Sequence, residues 1–506
     1  MNGWAKIITA ARQPADEFQL ALRNPRQHQV QLLHSIVGRN RNTAFGRTHN
    51  FSGIGSLADF HGAVPIQTYE DVRGLIARSA DNEPQLLTTD PIVVFEETGG
   101  TASGRKLIPH TAASLASFRS AILPWLDDLT QRRPGTMKGA SYVAISPATR
   151  RPATTRGGYS IGLASDAAYL GEDLGEAFAS ILAVPPDVAQ LENVDVWRLA
   201  TLVHLIECED LSFVSIWSPT FFLDLIAAVP ALASQIFPCL TQTARNRFDR
   251  ALEGTTIQTA ILWPKLDTIS CWCDGSSRVF ADRLAALCPH AVLEAKGLLA
   301  TEAAITVPRG GNIGCVPALT STVIEFIDRN GASHLADELN TGASYRVVIT
   351  TTGGLYRYDI GDQVRCIAYD GTTPRLLFEG RASLTSDLVG EKLDEAFVAA
   401  ALSCVSCPAV LVPECLPKPH YQVWLDGSGH CDGTLQAYAN LIEKRLRENP
   451  QYAYARDLGQ LGQLVVVEMP GLVATRNACH TQAGGRLADG KHTALMLPRD
   501  ASREAT

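Results

Sequence analysis

The sequence predicts an α/β protein in which a large N-terminal domain precedes a small α+β domain. Strands alternate with helices between residues 141 and 294, which is typical of α/β layering. Between residues 323 and 379, short alternating strands are separated by Gly and Asp turns, as in an antiparallel sheet or barrel. The pattern changes again near Gly380, so we predict a large domain at residues 1–380 and a small, mobile domain at residues 381–506.

Apolar spacing and capping signals predict the N-terminal elements. Apolar residues recur at helical spacing over residues 5–40, so we expect the chain to open with helices. Residues 64–72 predict a short strand and then a helix that is capped near Thr68 and has an acidic first turn. An apolar run at 91–95 predicts a buried strand, and residues 111–129 predict a helix with one apolar side.

The remaining elements complete the predicted layers. The α/β part has strands at residues 141–147, 213–217 and 291–294 and helices at 203–208, 220–226 and 279–287. The antiparallel part has strands at residues 323–328, 344–351, 354–359, 363–368 and 375–379. The small domain has helices at residues 393–403 and 433–448 and strands at 409–413, 421–425 and 463–469.

Composition excludes some classes of function. The chain has 46% hydrophobic and 19% charged residues, as soluble globular proteins do, and its net charge of −8 argues against nucleic-acid binding. No apolar run reaches the length of about eighteen residues that a membrane span needs, and the start at Met1 lacks a secretion signal. We therefore expect a cytoplasmic protein that does not bind membranes.

The 12 cysteines are spread through apolar contexts, so we expect small buried hydrophobic side chains and not a disulfide framework. Cys271 and Cys273 have C-x-C spacing, and Cys404 and Cys407 have C-x-x-C spacing. A zinc site is the alternative at these pairs, but the second pair has no matching partner pair.

The segment between Phe95 and Pro109 has the composition of a phosphate-binding loop. Glycines allow consecutive backbone N–H groups to converge on an anion, while hydroxyl groups and Lys106 add donors and charge. The candidate phosphate contacts are Thr98, Gly99, Gly100, Thr101, Ser103, Gly104 and Lys106. The P-loop template fits only partly, because Arg105 occupies its lysine position and Lys106 its hydroxyl position. A glycine-rich surface turn is the alternative, and the predicted helix that follows could lend its N-terminal end to an anion.

Several motifs along nearly the whole chain resemble those of one family. They are the loop at residues 97–109 and the segments at residues 214–221, 269–275, 296–302 and 354–362. In this order and with this spacing they resemble the GH3 family, the auxin-responsive acyl acid–amido synthetases and their bacterial relatives in the adenylate-forming (ANL) superfamily. The resemblance implies the ANL fold, with α/β layers and a β-barrel-like part in the large domain and a mobile small domain.

The resemblance also implies a reaction with two halves. A carboxylic acid attacks the α-phosphate of ATP, with Mg²⁺, to give an acyl-adenylate and pyrophosphate, and an amine such as an amino acid then displaces AMP. Two alternatives remain open: transfer of the acyl group to coenzyme A or a carrier thiol, and a binding protein that has the fold but no catalysis.

By match to the family's motifs, the loop residues 98–104 hold the β- and γ-phosphates, and Lys106 lies near the leaving pyrophosphate. Glu302 is the implied Mg²⁺ ligand, with Thr301 beside it. Asp362 is implied to accept hydrogen bonds from the ribose hydroxyls, with a turn aspartate as the alternative.

Two more basic residues are implied near the hinge and the C-terminal loop. Arg381 falls at the junction of the two domains, where it contacts phosphate or caps the turn. Lys491 resembles the mobile lysine that reaches the α-phosphate, and a solvated tail lysine is the alternative.

The chain also departs from the plant members of the family. Gly99 and Ala102 replace hydroxyl donors of a serine-rich loop, which leaves more of the phosphate binding to backbone N–H groups. Leu298 and Leu299 stand where the plant proteins have Tyr-Gly, so adenine would pack against aliphatic side chains.

Overall fold

A computed structural model describes residues 3–97, 106–143, 153–162, 171–311, 313–381, 384–389, 391–414, 418–427, 434–457, 460–482 and 492–496. In these residues the α-helices are α1 Gly3–Arg23, α2 Pro25–Asn40, α3 Ala44–Thr48, α4 Leu57–Ala63, α5 Tyr69–Ala80, α6 Ala112–Arg132, α7 Glu172–Ala179, α8 Val194–Glu207, α9 Pro219–Ile236, α10 Gln242–Ala251, α11 Thr259–Leu262, α12 Arg278–Leu287, α13 Glu395–Leu402, α14 Leu435–Leu446, α15 Pro450–Asp457 and α16 Leu472–Gln482.

The strands of the same residues are β1 Ile92–Glu97, β2 Leu107–Thr111, β3 Ala140–Val143, β4 Ala153–Thr154, β5 Ser160–Ile161, β6 Leu211–Ser215, β7 Thr268–Cys271, β8 Val292–Ala295, β9 Thr306–Val307, β10 Val316–Pro317, β11 Val323–Ile327, β12 Ser333–His334, β13 Ser344–Thr350, β14 Tyr358–Asp370, β15 Thr373–Arg381, β16 Thr385–Ser386, β17 Leu393–Asp394, β18 Ala409–Glu414, β19 His420–Leu425 and β20 Val465–Glu468.

The N-terminal helices form as their sequence predicts. α1 and α2 divide at Asn24 because Pro25 fits only the first turn of a new helix, where its missing N–H is not needed. α5 begins after Thr68, and Asp71 completes a capping box there. The predicted helix at residues 111–129 is α6, which Thr111 caps.

A parallel sheet confirms the predicted α/β layering. Its strand order is β3-β6-β7-β8, and every neighbouring pair is parallel. The surrounding helices bury a core that includes Tyr142, Trp197, Phe222 and Trp263. All four strands therefore end at one edge of the sheet, where ligands bind in proteins of this class.

An antiparallel sheet is found where the short alternating strands of residues 323–379 predict one. Its order is β12-β11-β13-β14-β15, with β12 and β15 at the edges. The two strands predicted at residues 354–359 and 363–368 are one strand, β14, which begins at Tyr358. The β1–β2 hairpin and the short β5 and β4 strands form a further four-stranded sheet, and the main core joins these sheets to α1, α2 and α6.

The C-terminal elements have a core of their own around Val398, Tyr421, Ile442 and Leu495. β18 pairs antiparallel with β19, and β19 pairs parallel with β20. The segment 492–496 adds to this sheet through a bridge from Leu495 to Leu411, and the Glu395 carboxylate accepts the N–H groups of Ala494 and Leu495 at 2.6 and 2.8 Å. The structure adds α15 and α16, which the sequence analysis does not predict.

One helix corrects the expectation about apolar runs. The segment Pro219–Cys239, which contains α9, is long and apolar enough to cross a membrane. In this fold, Phe222, Leu225 and Val229 of α9 are buried in the core of the parallel sheet. Packing against the sheet accounts for the apolar composition of α9, since helices in the cores of large proteins can be as long and as apolar as a membrane span.

The cysteines agree only partly with the expectation, because four of the described free cysteines are buried, four are half-buried and Cys239 is exposed. Nine of the described cysteines are free thiols, but Cys407 is disulfide-bonded. Sequence spacing does not show such a pairing, because a disulfide depends on which residues the fold brings within bonding distance. Cys271 and Cys273 have their sulfur atoms 3.8 Å apart, and the described residues contain no group of three or more His, Cys, Asp or Glu side chains that could hold a metal ion.

A buried ion pair joins the antiparallel sheet to the N-terminal helices. Arg357 Nη2 lies 3.1 Å from Glu325 Oε1, and His61 Nε2 lies 2.7 Å from the same oxygen. Arg357 also donates to the Val64 carbonyl at 2.9 Å. Burial alone would raise the pKa of Glu325, but the hydrogen bond to His61 and the charge of Arg357 hold this pKa below its ordinary value.

We expect Glu325→Gln to lower the free energy of unfolding by about 3 to 5 kcal/mol, because it leaves the buried Arg357 without its counter-charge. Chemical denaturation followed by circular dichroism measures this change. Glu83→Gln is the matched control, because Glu83 pairs with Arg78 at the exposed surface and such pairs contribute only about 0 to 1 kcal/mol. Equal effects of the two substitutions would contradict a structural role for the buried pair.

Candidate active site

The phosphate-loop candidate connects the two strands of a hairpin. β1 and β2 are antiparallel, and Glu97 pairs with Leu107 at the two strand ends that the loop joins. Thr98, Gly99, Gly100, Thr101, Ser103 and Gly104 lie outside the described residues, and Lys106 directly precedes β2. The sequence analysis considers a helix directly after the loop, as the P-loop has it. In the structure β2 lies between the loop and α6, so the helix does not follow the loop directly.

Lys106 and Tyr69 form one side of the candidate site. Lys106 Nζ lies 5.5 Å from the centroid of the Tyr69 ring. The Tyr69 hydroxyl accepts the backbone N–H of Leu107 at 3.0 Å. The first turn of α5 thus positions the start of β2 and holds an aromatic ring beside the Lys106 cation.

Glu302 and Thr301 lie at the tip of a short hairpin after the parallel sheet. Leu299 and Ala304 form an antiparallel bridge, and the Ala300 N–H donates to the Ala303 carbonyl at 3.0 Å. Gly297 allows the chain to enter this hairpin, because its φ is +80° and a Cβ there would lie 2.4 Å from the Thr306 carbonyl oxygen. Both tip residues are half-buried.

His110 supports this tip from β2. Burial lowers the pKa of His110 to about 4, although a hydrogen bond to the Thr301 backbone acts in the other direction. His110 Nδ1 lies 3.3 Å from the Ser114 hydroxyl in the first turn of α6. A neutral imidazole therefore links β2 and α6 to the hairpin that carries Glu302.

Asp362 lies in a strand, which contradicts the turn alternative for this residue. Val347 of β13 faces a bulge at residues 360–362 of β14, because Arg346 pairs with Gln363 while Val348 pairs with Asp359. Such a bulge re-aims side chains, and Gly361 accommodates it with a φ of +77°. Asp362 is 2% exposed.

Arg381 pairs with Asp362 across two strands. The two residues are register partners at the ends of the β14–β15 pair, and Arg381 Nε lies 3.5 Å from Asp362 Oδ1. Arg381 is 43% exposed, so its cation faces solvent beside a buried carboxylate. Arg381 therefore lies next to the candidate ribose contact and also directly precedes the C-terminal elements.

Tyr358 connects these separate parts of the site. Its side chain is buried, and burial raises its pKa well above the ordinary value. Glu302, Tyr69 and Asp359 raise this pKa further, while the positive charge of Arg381 acts against them. Glu302, Tyr69 and Arg381 are thus near enough to Tyr358 to act on its pKa, and Lys106 lies beside the Tyr69 ring. The sequence analysis misses Tyr358, Tyr69 and His110, although Tyr358 lies inside the motif at residues 354–362.

The position of the C-terminal lysine, Lys491, is approached through the residue that follows it, His492. Lys491 lies outside the described residues, so its role stays a prediction. His492 is buried, its Nε2 lies 3.5 Å from the Thr220 hydroxyl at the start of α9, and its ring centroid lies 5.2 Å from that of Phe280. The residue after Lys491 therefore contacts the helix that follows β6 at the carboxyl edge of the parallel sheet.

Family models match more than half of this chain. The GH3 family N-terminal domain matches residues 14–243, and the GH3 family central domain matches residues 315–381. The chain belongs to the GH3 family. Its members form acyl-adenylates, so GH3 membership confirms both the predicted fold class and the prediction of an ATP-using ligase.

Curated GH3 relatives are similar over most of the chain. Indole-3-acetic acid-amido synthetase GH3.4 of Arabidopsis thaliana is 23% identical over 74% of this chain and 70% of its own length. Indole-3-acetic acid-amido synthetase GH3.15 of Arabidopsis thaliana is 24% identical over 81% of this chain and 76% of its own length.

Solved structures show that the fold is that of the GH3 proteins. The AtGH3.15 acyl acid amido synthetase in complex with 2,4-DB has a TM-score of 0.86 at 19% identity and covers 98% of this chain and 96% of its own. The 2-hydroxyisobutyryl-CoA ligase in its postadenylation state has a TM-score of 0.54 at 14% identity, over 93% of this chain and 90% of its own. The GH3 fold therefore extends over both predicted domains, while the boundary near Gly380 stays a prediction.

We expect Asp362→Asn to raise the KM for ATP by about 5- to 150-fold, because a charge-assisted hydrogen bond to the ribose contributes about 1 to 3 kcal/mol. Steady-state kinetics of pyrophosphate release measures this change. Asp370→Asn is the matched control, because Asp370 pairs with Arg375 on the same two strands but at their other end. An unchanged KM for ATP in Asp362→Asn would leave Asp362 a purely structural role.

Proposed function

We propose that this GH3 protein activates a carboxylic acid with ATP and transfers the acyl group to an amine, with an amino acid as the expected acceptor. The observation that carries the proposal is that Glu302 and Arg381 both act on Tyr358, while Arg381 pairs with Asp362 and Lys106 lies beside Tyr69, which also acts on Tyr358. A reaction between a carboxylate and the polyanion ATP requires fixed cations that offset the phosphate charge, and hydrogen-bond acceptors that orient the nucleotide.

In the first half-reaction, a carboxylate oxygen of the acid attacks the α-phosphorus of ATP, and the bond from this phosphorus to the pyrophosphate oxygen breaks. Lys106 offsets the charge that develops on the leaving pyrophosphate, together with the N–H and hydroxyl donors of Thr98, Gly99, Gly100, Thr101, Ser103 and Gly104. Asp362 orients the ribose, and Lys491 acts on the α-phosphate. In the second half-reaction, the amine nitrogen attacks the acyl carbon, loses a proton and displaces AMP.

The residues present fit a magnesium ion that enters with ATP. Mg²⁺ keeps several waters and takes only one or two carboxylates beside substrate phosphates, so the half-buried Glu302 with the Thr301 hydroxyl is a sufficient donor set. Bound there, Mg²⁺ would neutralise phosphate charge. Glu302 and Thr301 are its proposed protein contacts.

Two other functions have less support. Transfer to coenzyme A is favoured only by the fold likeness to a CoA ligase, whereas the curated relatives are named amido synthetases. A binding protein without catalysis would have no need to keep Lys106, Glu302, Asp362 and Lys491. A cytoplasmic location without nucleic-acid or membrane partners is part of the proposal.

Pyrophosphate release against a panel of carboxylic acids tests the proposed function. We expect release that depends on the acid, and we expect AMP and an amide to form when amino acids are added. Coenzyme A should not replace the amino acid. A thioester product would instead support the thiol alternative, and no release with any acid would support the binding protein.

We expect Glu302→Gln to slow acid-dependent pyrophosphate release by about 100-fold or more, because it removes one negative charge from the proposed Mg²⁺ site at nearly constant volume. Circular dichroism should show an unchanged fold. Glu253→Gln at an exposed position is the control for the substitution itself. A near wild-type rate in Glu302→Gln would remove Glu302 from the site.

A further inference from the structure

A buried carboxylate among the C-terminal elements has no role in the site described above. Glu395 is the first residue of α13 and is 3% exposed. Its Oε1 accepts the Ala494 N–H at 2.6 Å, and its Oε2 accepts the Leu495 N–H at 2.8 Å. Both carboxylate oxygens therefore bind the backbone of a segment that lies 99 and 100 residues later in the chain.

Glu395 is better suited to fix a position than to stabilise the fold. Burying a carboxylate costs free energy that an apolar side chain of similar size would not cost. Burial raises the pKa of Glu395 to about 7, with the charge of Asp394 acting in the same direction and the two N–H donors and the charge of Arg476 acting against it. Once ionised, the carboxylate forms short, strong and directional hydrogen bonds. Glu395 therefore fixes where the backbone that it binds can lie.

The bound segment, residues 492–496, is held on two further sides. Its Ala494 carbonyl accepts the N–H of Leu411 in β18 at 2.7 Å. Its Thr493 carbonyl accepts a hydrogen bond from Arg476 in α16 at 2.9 Å. Together with the buried carboxylate, these bonds fix the segment to α13, β18 and α16.

The first residue of this segment contacts the helices around the parallel sheet. His492 Nε2 lies 3.5 Å from the Thr220 hydroxyl of α9, and the His492 ring packs against Phe280 of α12. Burial lowers the pKa of His492 to about 3, so its imidazole is neutral. α9 follows β6 and α12 follows β7, so the contact lies at the carboxyl edge of the sheet. Lys491 directly precedes His492, and since consecutive Cα atoms are about 3.8 Å apart, the position of His492 limits where Lys491 can act.

Glu395 also contacts the strand that leads into the C-terminal elements. A Cβ at Gly380 of β15 would lie 2.8 Å from Glu395 Cγ, so glycine permits this close approach. The next residue, Arg381, pairs with Asp362, the candidate ribose contact. Glu395 is therefore in contact both with the segment at residues 492–496 and with the end of β15 at the candidate site.

We propose that Glu395 is a positioning residue for the first half-reaction, because it fixes the segment that directly follows Lys491. This inference rests on the proposed function, and in particular on the proposed action of Lys491 on the α-phosphate. Glu395 itself touches neither the acid nor ATP. Lys491 has no proposed role in the second half-reaction, which should therefore not depend on Glu395.

Single-turnover assays of the two half-reactions test the proposal. Acyl-adenylate formation is measured with ATP and the carboxylic acid that gives the fastest pyrophosphate release with the wild-type protein, at a pH of about 8.5 so that Glu395 is ionised. Amide formation is measured from the same acyl-adenylate, supplied as a synthetic compound together with an amino acid. We expect Glu395→Gln to slow acyl-adenylate formation about 10-fold or more, because its amide group turns an N–H donor toward a backbone N–H donor. Amide formation and the Kd for ATP should change less than about 2-fold.

Glu391→Gln is the matched control. The Glu391 carboxylate is also buried, and it accepts two backbone N–H groups that lie close to it in the chain, those of Leu388 at 2.7 Å and Val389 at 2.8 Å. This substitution should leave both half-reactions unchanged within about 2-fold. If Glu395→Gln does not fold, Ala494→Pro decides, because it removes one of the two N–H donors and leaves Glu395 in place.

Amide hydrogen exchange gives a readout that needs no activity. Loss of the carboxylate should let the N–H groups of Ala494 and Leu495 exchange faster in Glu395→Gln than in the wild-type protein. Their exchange in Glu391→Gln should equal that of the wild-type protein. Unchanged exchange in Glu395→Gln would overturn the proposal.

The outcomes are distinct from those that test the proposed function. Equal slowing of both half-reactions in Glu395→Gln, or of neither, would overturn the positioning role, while wild-type activity would still support the synthetase reaction. Absence of acid-dependent pyrophosphate release by the wild-type protein would overturn the proposed function and with it the role of Glu395 in adenylation. Hydrogen exchange would in that case still show whether Glu395 fixes the segment.

Discussion

The buried pair of Arg357 and Glu325 is the constraint on which the candidate site depends. Arg357 has a φ of +43°, which a non-glycine residue adopts only when its surroundings hold it there. Glu325 holds the guanidinium, the Thr350 hydroxyl accepts the Arg357 N–H at 2.9 Å, and the Gln67 N–H donates to the Arg357 carbonyl at 2.8 Å. The next residue is Tyr358, so this strained backbone sets the direction in which β14 enters the site.

The same pair explains why a helical N-terminal region is part of an α/β enzyme. His61 and Val64 contact the Arg357–Glu325 pair from the end of α4. Gln67 then forms a parallel bridge with Tyr358, and α5 follows with Tyr69, beside which Lys106 lies. The continuous stretch of chain from His61 to Tyr69 thus connects the buried ion pair in the antiparallel sheet to the loop end of the β1–β2 hairpin.

Sequence patterns predict the layers and the motifs but not the contacts between them. The alternation of strands and helices predicts both large sheets, because burial on one face fixes the period of apolar residues. The sequence names both Asp362 and Arg381 but not their pairing, since this depends on the register of β14 and β15 and on the bulge at Gly361. Tyr358 and His110 are missed because a buried aromatic ring usually belongs to the core. The disulfide of Cys407 is missed because nothing in the spacing of the cysteines indicates it.

The hairpin on either side of the phosphate-loop candidate bears on how such a protein can diverge. Glu97 and Leu107 are register partners, so strand pairing holds the chain on both sides of the intervening segment. The entropy of closing a loop grows only slowly with its length. Insertions, deletions and exchanges between glycine and serine can therefore accumulate in this segment without shifting either strand. In the proposed phosphate-binding role of this segment, changes in nucleotide affinity are thereby separated from the folding stability of the domain.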